Sequence, residues 1–392
     1  MIYRKFKDKE LSWLGMGCMR FPVTESAGPI DVPEATKMLQ YAYDHGVNFF
    51  DTSYFYHAGK SEGVLGKALA KYPRDKWYLA DKFPGNMLKW VDGKLRLEIG
   101  GFGMQSKDVD SPAELFEEQL ERCGVDYFDF YMLHNVAELT YDMYTDEKVG
   151  ILDYLLKQKK AGRIRHLGFS SHGRAETIEK FLRGRDCFEF AMIQINYLDW
   201  TLQEAGRKYD VLTKNGIAVL AMEPVRGGKL ASREEKAGQV LLSAAPDKSP
   251  ASWALRFFHD LQNMAVVVSG MSTMDQLKEN LSIFDKIDPL TKSDRAVLDR
   301  AVAAMADISP CTICGYCVAD CPGGLDIPMF LSLANEATFE LGWTVNTVLS
   351  SLPNDKKPQA CTYCGNCNPL CPQNIDIPAV IKKFNDALAA AK

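Results

Sequence analysis

The chain has 392 residues, of which 46% are hydrophobic, 25% charged and 11% aromatic. This balance excludes a disordered or collagen-like chain, and the length is sufficient for one large domain with a smaller one attached. Lys and Arg number 46 against 51 Asp and Glu, which gives a net charge of −5. Because there is no basic excess to neutralise phosphates, we do not expect a nucleic-acid partner.

The N-terminal residues predict the cellular location. They are charged from the fourth position and contain no apolar run of the signal-peptide type. No stretch of the chain reaches the roughly 18 uninterrupted apolar residues of a membrane span. We therefore expect a cytoplasmic protein without a membrane partner.

Eight short strands alternate with helical stretches over the first 300 residues. The strands are predicted at 12–17, 47–51, 76–83, 127–134, 164–170, 190–197, 217–222 and 264–270. Helices are predicted between them, for example over 32–46, which ends on Gly46, and over 112–124, which begins after Ser111. Eight such units predict an α/β fold of the (β/α)8 TIM-barrel type. An open doubly wound sheet is the alternative, but the turn after the first strand lacks the third glycine of a dinucleotide-binding fingerprint.

A TIM barrel carries its chemistry at the carboxyl ends of its strands. Asp51 and Tyr56 follow the second predicted strand, Lys82 lies in the third, and His134 ends the fourth. A lysine ammonium favours the phenolate form of a nearby tyrosine, and a carboxylate such as Asp51 keeps that lysine charged. A histidine alone is more often explained by a structural hydrogen bond. The four residues together predict carbonyl reduction, with His134 hydrogen-bonded to the carbonyl oxygen.

The pattern Asp51-Thr52-Ser53-x-x-Tyr56, followed by Lys82 and by Leu133-His134, resembles the aldo-keto reductase family. The similarity continues at 168–172, 194–197, 223–228 and 269–280. The resemblance implies that Asp51, Tyr56, Lys82 and His134 form a catalytic tetrad with Tyr56 as proton donor. It also implies that an extended nicotinamide dinucleotide binds over the barrel mouth, through Ser170, Ser171, Gln194, Met222, Pro224, Arg226, Gly270, Ser272, Gln276, Glu279 and Asn280.

Three positions depart from the family pattern. Ser171 replaces a common Asn, Met222 replaces an aromatic residue that stacks on the nicotinamide, and Gln276 replaces an Arg that contacts the 2′-phosphate in some NADP-specific members. We expect NADP(H), and NAD(H) stays possible. Gly270 and Ser272 are predicted to begin a helix whose free N–H groups face the phosphates, although a tight strand-to-helix turn would also explain them.

Eight of the 11 cysteines lie between residues 311 and 371, in two runs of the same spacing. We call Cys311, Cys314, Cys317 and Cys321 the first cysteine run, and Cys361, Cys364, Cys367 and Cys371 the second cysteine run. A cytosolic chain keeps thiols reduced, so clustered cysteines indicate metal rather than disulfides. Each run has the C-x₂-C-x₂-C-x₃-C-P spacing of cubane iron–sulfur clusters. Zinc is the competing interpretation, but zinc sites normally take cysteines as separated pairs.

The C-terminal segment resembles two-cluster ferredoxins. That resemblance assigns one [4Fe-4S] cluster to Cys311, Cys314, Cys317 and Cys371, and the other to Cys361, Cys364, Cys367 and Cys321. The stretch 328–342 between the runs has a helical pattern, and 285–309 reads as a connecting helix. We therefore predict a barrel over residues 1–308 and a small, helix-rich two-cluster domain over 309–392.

These features together predict an NAD(P)(H)-dependent oxidoreductase that interconverts a carbonyl compound and an alcohol by hydride transfer. Its two clusters would serve electron transfer or structure. The alternative is a nucleotide-binding redox sensor or electron-transfer subunit that docks a partner protein. The expected partners are a small-molecule carbonyl or alcohol substrate and, in the alternative, a redox partner protein.

Overall fold

Short runs of apolar, aromatic and β-branched residues form the strands, as their propensities favour. The computed structural model describes the whole chain except residues 26–27, 100–102, 306–307, 310, 312–314, 319, 339–340, 372 and 392. The strands of the described residues are β1 (Tyr3–Phe6), β2 (Lys9–Ser12), β3 (Leu14–Gly17), β4 (Phe49–Asp51), β5 (Tyr78–Phe83), β6 (Leu88–Val91), β7 (Lys94–Leu97), β8 (Lys107–Asp108), β9 (Phe128–Leu133), β10 (Ile164–Ser171), β11 (Phe190–Gln194), β12 (Ala218–Met222) and β13 (Met264–Gly270).

The helices within the same described part of the chain follow the predicted alternation. They are α1 (Val32–Asp44), α2 (Ser61–Leu69), α3 (Pro112–Cys123), α4 (Tyr141–Thr145), α5 (Ile151–Lys160), α6 (Ala175–Leu182), α7 (Asp199–Leu202), α8 (Ala205–Lys214), α9 (Lys236–Ala244), α10 (Pro250–Arg256), α11 (Met274–Ile283), α12 (Lys292–Ala303), α13 (Ile327–Ala337), α14 (Trp343–Ser351) and α15 (Ile377–Ala390). No helix among the described residues is both long and apolar enough to cross a bilayer.

Eight of the described strands close into a parallel barrel in the order β3-β4-β5-β9-β10-β11-β12-β13. The predicted (β/α)8 barrel is therefore confirmed, and the open sheet is excluded. Pairing sets the register at one rim: Asp51 of β4 lies opposite Ala80 of β5, and Phe83 of β5 lies opposite Leu133 of β9. This register brings the carboxyl ends of β4, β5 and β9 together.

Aromatic and aliphatic side chains fill the barrel interior. Phe49, Phe130, Met192 and Val266 belong to one buried cluster, together with Phe6 from the β1–β2 hairpin. The ring centre of Phe6 lies 5.3 Å from that of Phe130. The hairpin therefore closes the amino-terminal end of the barrel, and the opposite end is left for the site.

The described chain divides into two compact units: Met1–Tyr197 with Glu204–Leu298, and Leu198–Gln203 with Asp299–Lys392. The second unit repeats one local structure after each cysteine run. Asp326 accepts a hydrogen bond from the N–H of Met329 at the start of α13, and Asp376 accepts one from Ala379 at the start of α15. Both aspartates act as N-caps of helices that carry proline at an early position.

Candidate functional site

A buried ion pair lies at the rim where β4 and β5 end. Nζ of Lys82 lies 2.7 Å from both carboxylate oxygens of Asp51 and 2.7 Å from the carbonyl oxygen of Thr52. Lys82 is only 1% exposed and Asp51 3%. Burial alone would lower the pKa of Lys82, but the Asp51 carboxylate outweighs it, so the pKa is raised and the side chain is an ammonium.

Tyr56 lies directly beside this ammonium. Nζ of Lys82 is 4.8 Å from the centre of the Tyr56 ring. Burial raises the pKa of Tyr56 to about 12, and the charge of Lys82 partly opposes that rise. At neutral pH the hydroxyl therefore keeps its proton, and the adjacent cation stabilises the phenolate that would form if the proton were given away.

His134 completes the group at the end of β9. Its ring centre lies 6.3 Å from that of Tyr56, and its ring is parallel to the Phe55 ring at 4.8 Å. Its Nδ1 lies 3.0 Å from Oγ of Ser53. Burial, and then the charge of Lys82, hold the pKa of His134 well below its usual value, so the ring is neutral. The structure thus brings the four predicted rim residues together.

The ends of β10 and β11 supply neutral hydrogen-bonding groups. Oγ of Ser170 accepts a hydrogen bond from the N–H of Asn135 at 2.8 Å, which leaves its own proton available to a ligand. Ser171, in contrast, donates to the carbonyl of Val136 at 2.6 Å and accepts from the N–H of Gly173. Its hydroxyl is therefore already bonded to the backbone of two segments, one after β9 and one after β10. Gln194 ends β11 and is 8% exposed.

The segment after β13 differs from its predicted boundary. Gly270 is the last residue of β13, and α11 begins only at Met274. Thr273 is the N-cap, and its hydroxyl accepts from the N–H of Gln276 at 3.2 Å. The Gln276 side-chain oxygen in turn accepts from the N–H groups of Ser272 at 2.8 Å and Thr273 at 3.3 Å. The prediction that Gly270 and Ser272 begin the helix is wrong, because this capping box fixes the start.

The remaining predicted cofactor residues lie on α11 and at the end of β12 or just after it. Asn280 donates to Oγ of Ser269 at 2.9 Å, while Glu279 is partly exposed. Met222 ends β12 and packs against the barrel core, and Pro224 follows it. Arg226 is 6% exposed, with φ of +50°. Hydroxyl and amide groups suit a carboxamide, and a guanidinium suits phosphates, so this donor set fits a nicotinamide dinucleotide.

A buried polar cluster that was not predicted from the sequence lies behind Lys82. Asp81 accepts the backbone N–H of Lys82 at 2.7 Å, and Gln119 donates to the Lys82 carbonyl at 3.1 Å and to Glu62 at 3.0 Å. Cys123 lies 3.6 Å from Asp81. Burial, and then the charge of Glu62, raise the pKa of Asp81 well above its usual value. The sequence signal was a second charged residue, Asp81, next to Lys82 in β5.

One cavity in the C-terminal unit carries four thiols. It is open to solvent, and its lining includes Cys321, Cys361, Cys364 and Cys367. This set combines three residues of the second cysteine run with one of the first, as the resemblance to two-cluster ferredoxins implies. Cys311, Cys317 and Cys371 belong to, or pack against, the same apolar cluster as Cys321, Cys361 and Cys367. Cys314 lies outside the described residues. The ten described cysteines are not joined in disulfides.

Residues 13–303 match the Aldo/keto reductase family. The chain belongs to this family. Among curated relatives, it is 24% identical to "Probable aldo-keto reductase 1" of Glycine max, covering 73% of this chain and 71% of that protein. It is 27% identical to "Uncharacterized oxidoreductase YqkF" of Bacillus subtilis, covering 70% and 87%.

Solved structures give the same result for the aldo/keto reductase part. The holo form of aldo-keto reductase AKR11C1 from Bacillus halodurans superimposes with a TM-score of 0.60 and 26% identity, covering 77% of this chain and 96% of that one. A second family match, to the 4Fe-4S dicluster domain, covers residues 307–375. The chain is thus an aldo/keto reductase barrel fused to a 4Fe-4S dicluster domain, and the predicted fusion is confirmed.

Proposed function

We propose that this aldo/keto reductase is an NAD(P)(H)-dependent enzyme that interconverts an aldehyde or ketone and the corresponding alcohol. The observation that carries the proposal is the neutral Tyr56 hydroxyl beside the buried Lys82 ammonium. The reduced nicotinamide, when bound, supplies the hydride that the carbonyl carbon receives. The residues of this chain must then supply a proton to the carbonyl oxygen and orient the substrate.

Tyr56 is the proton donor in this proposal. As the carbonyl oxygen gains negative charge, the Tyr56 O–H bond breaks and the proton moves to that oxygen. The phenolate left on Tyr56 is stabilised by Lys82, whose charge Asp51 maintains. His134 binds the same carbonyl oxygen through a ring N–H, because a neutral imidazole carries one donor. In the oxidative direction the same groups act in reverse.

The nucleotide would bind across the ends of β10 to β13. We assign the nicotinamide carboxamide to Ser170 and Gln194, and the packing against the ring to Met222. We assign the diphosphate and adenosine part to Pro224, Arg226, Gly270, Ser272, Gln276, Glu279 and Asn280. Ser171 has a supporting role in this scheme, since its hydroxyl already bonds to Val136 and Gly173. NADP(H) is the proposed nucleotide, with NAD(H) as the second choice.

We further propose two [4Fe-4S] clusters in the C-terminal unit. One is held by Cys361, Cys364, Cys367 and Cys321, which line one cavity. The other is held by Cys311, Cys314, Cys317 and Cys371. Thiols that must stay reduced for cluster assembly favour a reducing compartment such as the cytoplasm.

An electron-transfer or redox-sensing role, with a partner protein, is the second candidate function. Cys364 is exposed, so a cluster bound there would lie near the surface and could exchange electrons with that partner.

Nucleotide titration and turnover test the proposed reductase function. The holoprotein is titrated with NADPH and with NADH while its tryptophan fluorescence is recorded, and then it is mixed with a panel of aldehydes, ketones and sugars. We expect quenching at micromolar nucleotide and oxidation of the nucleotide with at least one carbonyl compound. Quenching without turnover of any carbonyl would favour the sensor or electron-transfer role. Absence of binding by both nucleotides would contradict both functions.

A further inference from the structure

Ser53, the second residue after β4, contacts the ring of His134. Oγ of Ser53 lies 3.0 Å from Nδ1 of that ring, and Ser53 is completely buried. No other hydrogen-bond partner of the Ser53 hydroxyl is found among the described residues. The hydroxyl is thus available to His134 alone.

Three further contacts fix where the His134 ring sits. Its backbone N–H donates to the carbonyl of Phe83 at 3.1 Å, and its carbonyl accepts the hydroxyl of Tyr144 at 2.5 Å. Its ring stacks on Phe55 with only 6° between the two planes. These contacts fix the backbone and the plane of the ring. They do not decide which ring nitrogen carries the proton.

The position of that proton follows from the requirement that the buried donors and acceptors at the contact between Ser53 and His134 are satisfied. His134 is neutral, so one ring nitrogen is a donor and the other an acceptor. If Nδ1 were the donor, the buried Ser53 O–H would have no acceptor in the described chain, and an unsatisfied buried donor is costly. If Ser53 is the donor, its proton and Nδ1 are both satisfied. Nε2 then carries the ring proton.

We propose that Ser53 is a positioning residue, whose hydroxyl donates to Nδ1 of His134 and so places the imidazole proton on Nε2. The proposal deepens the proposed function, on which its catalytic consequence rests. His134 is partly exposed, and its Nε2 makes no hydrogen bond to a described residue. An N–H there attracts a carbonyl oxygen and orients it beside the Tyr56 hydroxyl. A lone pair there would repel the same oxygen.

Nitrogen NMR of the histidine rings measures the tautomer directly. The full-length protein with its clusters, labelled with nitrogen-15 histidine, contains six histidines, and the His134 signals are those lost in the His134→Gln variant. We expect Nδ1 of His134 to be unprotonated and Nε2 protonated. In Ser53→Ala we expect the nitrogen-15 chemical shift of Nδ1 to change to that of a ring nitrogen without a hydrogen-bond donor. A wild-type proton on Nδ1, or unchanged signals in Ser53→Ala, would overturn the proposal.

A matched control and a kinetic readout accompany the NMR experiment. Ser61→Ala removes another buried hydroxyl, which contacts Thr52 and Cys18 but not His134, so it should leave the His134 signals unchanged. Ser53→Ala should lower kcat about 3- to 10-fold, because the net contribution of one hydrogen bond corresponds to a factor of about this size. The Kd of the nucleotide should stay the same. Ser53→Thr, which keeps the hydroxyl, should restore the His134 signals and most of kcat.

The two readouts separate this proposal from the proposed function. If the wild-type protein shows the Nε2 proton and Ser53→Ala alters it, the Ser53 assignment is supported even if no carbonyl substrate is reduced. That result would count against the reductase function alone. If kcat falls in Ser53→Ala while the His134 signals stay the same, the loss is structural, and the positioning role is overturned.

Discussion

Tyr56 is the residue on which the proposed chemistry depends most directly. Replacing it by Phe removes the proton donor but keeps the ring beside Lys82, so nucleotide binding should be unchanged. We expect carbonyl reduction to fall by about 10²-fold or more, the usual loss when general acid catalysis is removed. Steady-state kinetics and a nucleotide titration of the same variant measure the two effects separately.

A second tyrosine in the same loop provides the control for that experiment. The hydroxyl of Tyr54 bonds to Glu118 at 2.7 Å, away from the ammonium of Lys82. Tyr54→Phe should therefore leave the turnover close to that of the wild type. Equal losses in Tyr54→Phe and Tyr56→Phe would show that the loop is merely disturbed, and undiminished turnover in Tyr56→Phe would refute its role as proton donor.

The buried carboxyl group of Asp81 makes stability depend on pH. Its folded pKa is raised well above its usual value by burial and by Glu62. Between the usual pKa and the raised one, the folded protein holds a proton that the unfolded chain has released, so stability falls as pH rises through this window. The slope is at most about 1.4 kcal/mol per pH unit for one proton.

Asp81→Asn tests that dependence, because an amide keeps an oxygen for the Lys82 N–H but does not ionise. Urea unfolding at a series of pH values between the usual carboxyl pKa and the raised one should show a smaller fall in the free energy of unfolding for the variant than for the wild type. The other titrating groups in contact, Glu62 and Cys123, are present in both proteins. Identical slopes would mean that Asp81 is ionised in the folded state.

At the scale of elements, the barrel strands could be predicted and the accessory strands could not. The eight barrel strands are buried on both faces, so they appear as continuous apolar runs such as 264–270. The β1–β2 hairpin carries lysines in both strands, and only Phe6 and Leu11 enter the core. The three-stranded sheet of β6, β7 and β8 was not among the predicted elements. The sequence signal for its first hairpin is the dipeptide Asp92-Gly93 between β6 and β7, where both residues have positive φ.

The residues of the candidate site likewise divide into those that could be predicted from the sequence and those that could not. Residues at strand ends, such as Asp51 and His134, could be predicted, because parallel strands bring their carboxyl ends to one rim. Ser53 and Asp81 act through neighbours that belong to other elements. A single sequence does not show which residues of two such elements lie next to each other. The bond of the Ser171 hydroxyl to Val136, in the segment after β9, could not be predicted for the same reason.

The capping box at the start of α11 bears on nucleotide preference. The Gln276 oxygen holds the N–H groups of Ser272 and Thr273. Gln276→Arg removes this acceptor but adds a cation for a 2′-phosphate. We expect the affinity for NADPH to rise about tenfold relative to NADH, as one charge-assisted hydrogen bond would give. Unchanged relative affinity would place the 2′-phosphate elsewhere.

Gln276→Glu is the paired variant for the same experiment. It keeps an oxygen for the cap and adds negative charge, so the NADPH preference should fall without loss of helix stability. Fluorescence titrations with both nucleotides give the affinities, and thermal unfolding reports on the cap. A fall in NADH affinity equal to that for NADPH would indicate general damage to the site.

At the scale of the whole molecule, the proposed function combines two redox chemistries in one chain. Hydride transfer moves two electrons together, whereas each [4Fe-4S] cluster accepts one. The motifs of the sequence include no flavin site that could separate the electron pair. Six of the described cysteines of the two runs instead pack with Leu325, Ile327 and Ile377 in the core of the small unit. We therefore expect the clusters to stabilise this unit, and hydride transfer not to require them.

Anaerobic spectroscopy of the holoprotein tests this independence. We expect about eight irons per chain, in keeping with two cubane clusters. Dithionite should produce the electron paramagnetic resonance signal of reduced clusters, whereas NADPH with or without a carbonyl substrate should not. Removal of the iron by a chelator should unfold the C-terminal unit, seen as a lost thermal transition, and leave carbonyl reduction within about twofold, since the barrel contains the whole proposed tetrad. Cluster reduction by NADPH at the rate of turnover would instead make the clusters part of the reaction, and the redox partner would then become the central question.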